Sequence, residues 1–103
     1  MNDMIQVVIK RPNMEAEITE IENSLPVLQG LVGGYIEALT YDDCVVVVNE
    51  EGFWENLPIN VKFRGHFLRG TVIILSADGE GDFVSLDKRE ACELAEELDE
   101  GAW

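Results

Sequence analysis

Cys44-Val45-Val46-Val47-Val48 decides the fold. A run of apolar residues without alternation cannot have one wet face and one dry face. It predicts a central strand covered on both sides. Turns flank it: Asp42-Asp43 before, and Asn49-Glu50-Glu51-Gly52 after, the latter with Gly52 expected at positive φ. Upstream, Tyr35–Tyr41 reads as a strand with Tyr35, Glu37, Leu39 and Tyr41 on one side and Ile36, Ala38 and Thr40 on the other. Downstream, Thr71–Leu75 is a second β-branched strand, Ala77–Asp82 a loop and Phe83–Leu86 a short last strand.

The outer segments complete the pattern. Ile5–Ile9 and the alternating Glu15–Ile21 read as an N-terminal hairpin turning at Lys10-Arg11-Pro12-Asn13. Ser24 caps a short helix with Pro26 in its first turn. Leu25, Leu28, Leu31 and Val32 share its apolar face, and Gly33-Gly34 stop it. Asp87 and Glu90 form a capping box for a second helix, striped by Ala91, Leu94, Ala95 and Leu98 and closed by Gly101. Phe53–Gly70 shows a turn at Asn56-Leu57-Pro58 and otherwise reads as loop or short helix. The expectation is one compact α+β domain over residues 1–103. It has an antiparallel-rich sheet of about five strands and two helices on one face, the second C-terminal and acidic.

Charge narrows the function. The chain carries 21 Asp and Glu against 7 Lys and Arg, a net charge of −14 over 103 residues. Solubility of a small domain needs a magnitude of only about 2–8. Such a field repels nucleic acid and anionic membrane and attracts basic surfaces. An apolar content of 47% argues for a folded core instead of a disordered acidic tail. No apolar run approaches the ~20 residues of a membrane span. MNDMIQVVIK lacks the features of a signal peptide, so a cytoplasmic location is expected. Cys44 and Cys92 stand far apart and His66 is the single histidine. This argues against a disulfide, a zinc site or any other metal or cofactor.

The motifs name no reaction. Counted as a calcium loop from Asp78, the glycine position falls on Phe83 and the bidentate Glu position on Arg89, so Ala77–Asp82 reads as a solvated acidic turn. Gly30, Gly33 and Gly34 follow a helix instead of opening one, which is wrong for a phosphate cradle. Ser24, Ser76 and Ser85 have no partner set for a hydrolytic triad. Asp42-Asp43 and Glu50-Glu51 lie at opposite ends of one strand, about 17 Å apart, beyond the reach of a paired-carboxylate mechanism. No catalytic residue is assigned and a non-enzymatic role is expected.

Two candidate binding sets remain. Glu90, Glu93, Glu96, Glu97 and Glu100 coat the last helix, where like charges at three- and four-residue spacing repel mildly unless a basic partner offsets them. Asp42, Asp43, Glu50 and Glu51 form a second acidic patch. The alternative set is a basic, aromatic island, Arg64, His66, Phe67 and Arg69, with Tyr35 and Trp54. Arg and aromatic groups together clamp phosphate and stack a base, which suits a small nucleotide signal held at a subunit interface. A third reading is a structural protein acting by oligomerisation, with a homodimer as its simplest form.

Leu28-Gln-Gly-Leu-Val-Gly-Gly-Tyr-Ile-Glu37, Asp42-Asp43, Asn49-Glu-Glu-Gly52, Leu57-Pro58-x-Asn60, Gly70-Thr71 and the acidic glycine-rich turn before Phe83-Val84 carry a resemblance. From about Met4 to Leu86 the chain resembles the family of domain of unknown function 3846. That resemblance implies carriage by bacterial phages, plasmids and other mobile elements, and brings no assigned catalytic residues. The family's C-terminus is variable, which would make the acidic helix special to this chain. Together these readings lead to an accessory protein in the cytoplasm of a bacterial host. Its acidic surface would mimic nucleic acid and bind a host nucleic-acid-handling or defence protein with a basic surface, without itself binding nucleic acid or membrane.

Overall fold

The computed structural model describes residues 3–103; Met1 and Asn2, the start of the expected domain, lie outside the described residues. Two adjacent strands set the architecture. β4 (Val45–Asn49) is buried along its whole length, and β7 (Val72–Ala77) is buried from Val72 to Leu75. They pair antiparallel through Val45–Leu75, Val46–Ile74 and Val47–Ile73. β1 (Met4–Lys10) joins the other side of β7 and pairs with β2 (Glu17–Glu22), and β3 (Ile36–Thr40) pairs with β4. The order is β2-β1-β7-β4-β3, and short β8 (Phe83–Val84) pairs with the end of β7.

Strands apolar on both faces require two covers. α1 (Leu25–Val32) covers Val7, Ile9, Val45, Val47, Ile73 and Leu75. α2 (Lys88–Glu100) covers the opposite face, where Val8, Val46, Val48, Val72 and Ile74 meet Ala91, Leu94 and Leu98. The helices therefore lie on opposite faces, not on one as expected. The continuous valine run contained that answer, since burying both of its faces requires a layer on each.

The second cover has another component. Phe53–Gly70 is neither loop nor short helix in its second half: β5 (Ile59–Phe63) and β6 (His66–Arg69) form a separate two-stranded hairpin. Arg64 and Gly65 both have positive φ, 48° and 87°, as a two-residue type I′ turn requires. Arg is an unusual first residue there, which hid the hairpin. Val61, Phe63 and Leu68 bury against α2 and the sheet. Residues 101–103 line the outer side of β5. The Lys62 N–H donates to the Gly101 carbonyl at 2.9 Å, and a Cβ at Gly101 would overlap the Lys62 carbonyl.

Other expectations change in detail. Ile18 and Ile21 are three residues apart and so face opposite ways; Ile21 is buried and Ile18 exposed, so Glu15–Ile21 does not alternate as read. Leu25 points to solvent, leaving Leu28 and Val32 as the buried anchors of α1. Gly52 does not have positive φ. A glycine fits there because a Cβ would press on Arg69 Cβ and the Asn49 carbonyl, both at 3.4 Å. Ser24 and the Asp87–Glu90 capping box cap the helices as expected.

Two buried asparagines bind the layers together. Asn60 Nδ2 donates to the Lys10 carbonyl at 2.7 Å and the Gly70 carbonyl at 2.8 Å, while its Oδ1 accepts from Lys10 Nζ at 2.9 Å. Lys10 is 1% exposed, and Nζ also donates to the Arg11 carbonyl. Burial lowers the Lys10 pKa, partly offset by the Asp99 charge. Asn49 Nδ2 donates to Val32 at the end of α1, and Asn49 Oδ1 accepts from the Glu51 N–H. Asn60→Ala removes two carbonyl partners and strips an acceptor from a buried ammonium. It should lower stability by about 3 kcal/mol, read as a shifted urea midpoint with little change in slope.

Candidate functional site

The acidic groups gather at the end of the sheet where β3 turns into β4. Asp42 and Asp43 occupy that turn. The β4–β7 pairing brings Ser76–Asp78 beside it, and α2 brings Glu90. Asp42, Asp43, Asp78 and Glu90 line one cleft of about 300 Å³ whose lining contains no Lys or Arg. Asp78, Glu80 and Asp82 extend the anionic surface, with carboxylate oxygens within 4.8 Å of one another. Asp78 Oδ1 accepts from the Glu80 and Asp82 amides, so this carboxylate also closes its own loop.

Arg64, at the tip of the β5–β6 hairpin, fixes the edge of this surface. Nη1 and Nη2 donate to the two Asp43 oxygens at 2.6 and 2.8 Å, and Nε and Nη2 donate to Glu97 at 2.9 and 3.1 Å. The guanidinium lies 4.7 Å from the Phe63 ring centre and 5.1 Å from that of Tyr41. The hydrogen bonds it donates pull the Asp43 pKa down to about 2, and its bonds to the acceptors Asp43 and then Glu97 raise the pKa of Arg64 itself. Behind the turn, burial and then the Asp43 charge push the Cys44 thiol up to about 12. Both cysteines are free; Cys44 is buried and Cys92 exposed.

The remaining acids divide. Glu90 Oε1 accepts from the Asp87 N–H at 3.3 Å, Glu93 pairs with Arg89 at 3.2 Å, and Glu96 and Glu100 are exposed. Glu50 and Glu51 sit at the far end of β4, where Glu51 and Glu55 line a different cleft with Tyr35. The expected second patch therefore divides: Asp42 and Asp43 join Glu90 of α2, and Glu50 and Glu51 lie apart. Asp78, Glu80 and Asp82 belong with the first group, because the β4–β7 register places them beside Asp42-Asp43.

The basic, aromatic set does not assemble. His66, Phe67 and Arg69 line one groove, but with Glu37 and Glu50. Arg64 is committed to Asp43 and Glu97. Arg69 Nη1 donates to the Leu57 carbonyl at 2.9 Å, and its guanidinium covers Phe53. Tyr35 lines the other cleft, and Trp54 packs edge-on against Phe53, a groove residue the sequence reading did not select. No described helix is long and apolar enough to cross a membrane.

Three outcomes follow. Asp43 has a lower pKa folded than the ordinary unfolded value of about 3.9, so its contribution to stability is present above about pH 4 and is lost as pH falls toward 2. In Arg64→Ala, an NMR titration should find the Asp43 carboxyl midpoint back near the ordinary range. The stability cost at neutral pH should be about 1 kcal/mol, because the pair is partly exposed. A chromogenic disulfide reagent should consume one thiol in the native protein, Cys92, and both after denaturation.

The residues that carried the resemblance prove to be junctions of this fold. Asn49 and Asn60 make the cross-links above. A Cβ on Gly34 would meet Asn49 Nδ2 at 3.0 Å, and one on Gly70, at φ 72°, would meet Leu57 Cδ1 at 2.8 Å. The family described as "Domain of unknown function (DUF3846)" matches residues 5–99. The match runs past Leu86 through most of α2, so this helix lies within the family domain and is not an addition to it. No curated protein and no solved structure matches the chain. With nearly its whole length matched, the chain belongs to the family of domain of unknown function 3846.

Proposed function

We propose that this protein is a non-enzymatic accessory protein of a phage or other mobile element. It acts in the bacterial cytoplasm by occupying the basic groove of a host nucleic-acid-handling or defence protein. The observation that carries the reading is the cleft of Asp42, Asp43, Asp78 and Glu90, in which Asp43 alone is ion-paired, to Arg64 at its edge, and which Glu80 and Asp82 continue. These carboxylates come from a turn, a loop and a helix. Arg64 holds two of the three in fixed relation, through Asp43 of the turn and Glu97 of the helix, so their spacing is preorganised. A fixed array of negative groups can replace phosphates in a basic groove, and the net charge of −14 steers it there.

Capture from a bacterial lysate on the immobilised protein tests this. Basic nucleic-acid-handling proteins should bind, elute as salt rises from about 50 to about 500 mM, and be displaced by duplex DNA. Retention that ignores both salt and DNA overturns the reading.

A further inference from the structure

The layer that covers the sheet on the side of α2 is one strand short. α2 lies over β1 and β2 and beside β5, and β6 lies over β4. Above β3 the layer stops, leaving a groove of about 350 Å³ between β6 and the upward side chains Glu37, Leu39 and Tyr41. Its apolar rim is exposed: Phe67 is 50% accessible and Phe53 70%. Each continues into a tryptophan by an edge-on contact, Phe67 into Trp103 and Phe53 into Trp54. Contiguous exposed aromatic surface of this kind marks an interaction site.

The backbone at this edge is also available. Phe63 and His66 flank the two-residue turn and form a hydrogen-bonded pair, so the next pair, Lys62 and Phe67, points its N–H and C=O groups outward. On the β5 side the Lys62 N–H meets the Gly101 carbonyl. On the β6 side the matching Phe67 groups face the groove. Its lining carries two carboxylates against one guanidinium, a net negative charge. Glu37 and Glu50 are exposed carboxylates, whereas Arg69 is tied to Leu57 and lies over Phe53, and His66 stands at the rim.

We propose that this groove receives an extended peptide segment of a partner protein, which adds to β6 as a third strand. The segment seats an apolar side chain on Leu39 between Phe53 and Phe67 and sets a Lys or Arg against Glu37 and Glu50. Edge addition supplies the main-chain bonds, and alternate side chains supply the specificity. The site is distinct from the acidic cleft and stands or falls separately.

The test is an NMR titration of the 15N-labelled protein with a blocked peptide repeating Val-Ser-Lys-Ser, which turns Val and Lys to the same face of an added strand. Saturable shifts should centre on the Phe67 amide and on β3. A matched Val and Glu peptide should produce none, and N-methylation of alternate peptide amides should abolish them. Glu37→Gln with Glu50→Gln, both exposed and safe for folding, should weaken binding about threefold. Asp42→Asn with Glu80→Gln, at the acidic end and clear of the hairpin, should leave it unchanged. Shifts confined to Asp42, Asp43, Asp78 and α2, or an equal response to the Glu peptide, overturn the proposal. So does a concentration-dependent mass in sedimentation with the same amides shifting without peptide, which would make a second copy the occupant.

Discussion

Two neighbouring strands that are apolar on both faces impose the rest of this structure. β4 and β7 are buried from Val45 to Val48 and from Val72 to Leu75. One short helix suffices on one side. On the other, a single 13-residue helix is too narrow, and the β5–β6 hairpin fills part of the gap. That hairpin is pinned by a buried lysine. Lys10 lies in the core-facing end of β1 and needs acceptors there; Asn60 provides one and also binds the backbone on either side. A buried ammonium without such partners would cost several kcal/mol or lose its proton. Apolar burial of Val61, Phe63 and Leu68 attaches the hairpin, and this polar contact fixes where it sits.

The family signature becomes intelligible in these terms. Gly34 makes room for Asn49, Gly70 makes room for Leu57, and Asn60 links β5 to β1 and to Gly70 in the turn between β6 and β7. These are constraints of close packing and buried hydrogen bonding. They explain why the signature identifies a fold and is silent about chemistry. The proposed acidic surface draws on other parts of the same signature, Asp42-Asp43 and the acidic glycine-rich turn, which strand register brings together instead of any local motif.

Legibility in the sequence followed the same division. Local rules located both helices, their caps, the N-terminal hairpin and the doubly buried strand, because capping, β-branching and turn residues act over a few positions. The β5–β6 hairpin was hidden because its turn uses Arg64-Gly65 where Asn-Gly or Asp-Gly is the usual signal. Leu25 and Ile18 show a second limit: apolar character does not reveal which face is covered. At the site, Asp42 and Asp43 were readable as an acidic turn. Their company with Asp78 and Glu90 was not, since it arises from the pairing of residues about 30 positions apart, as in Val45–Leu75. Arg64 was read as a ligand-binding base because nothing local discloses that Asp43 and Glu97 enclose it.

In the proposed role the acidic end acts as one preorganised surface, and the far acids form a separate patch. The most direct measurement compares two charge-neutralised proteins for capture of the same basic partners: Asp42→Asn with Asp78→Asn and Glu90→Gln, against Glu50→Gln with Glu51→Gln and Glu55→Gln. Each set removes three charges. The account predicts that the first loses capture while the second retains it. Equal loss in both would mean that net charge alone draws partners, and that the shaped surface does not exist.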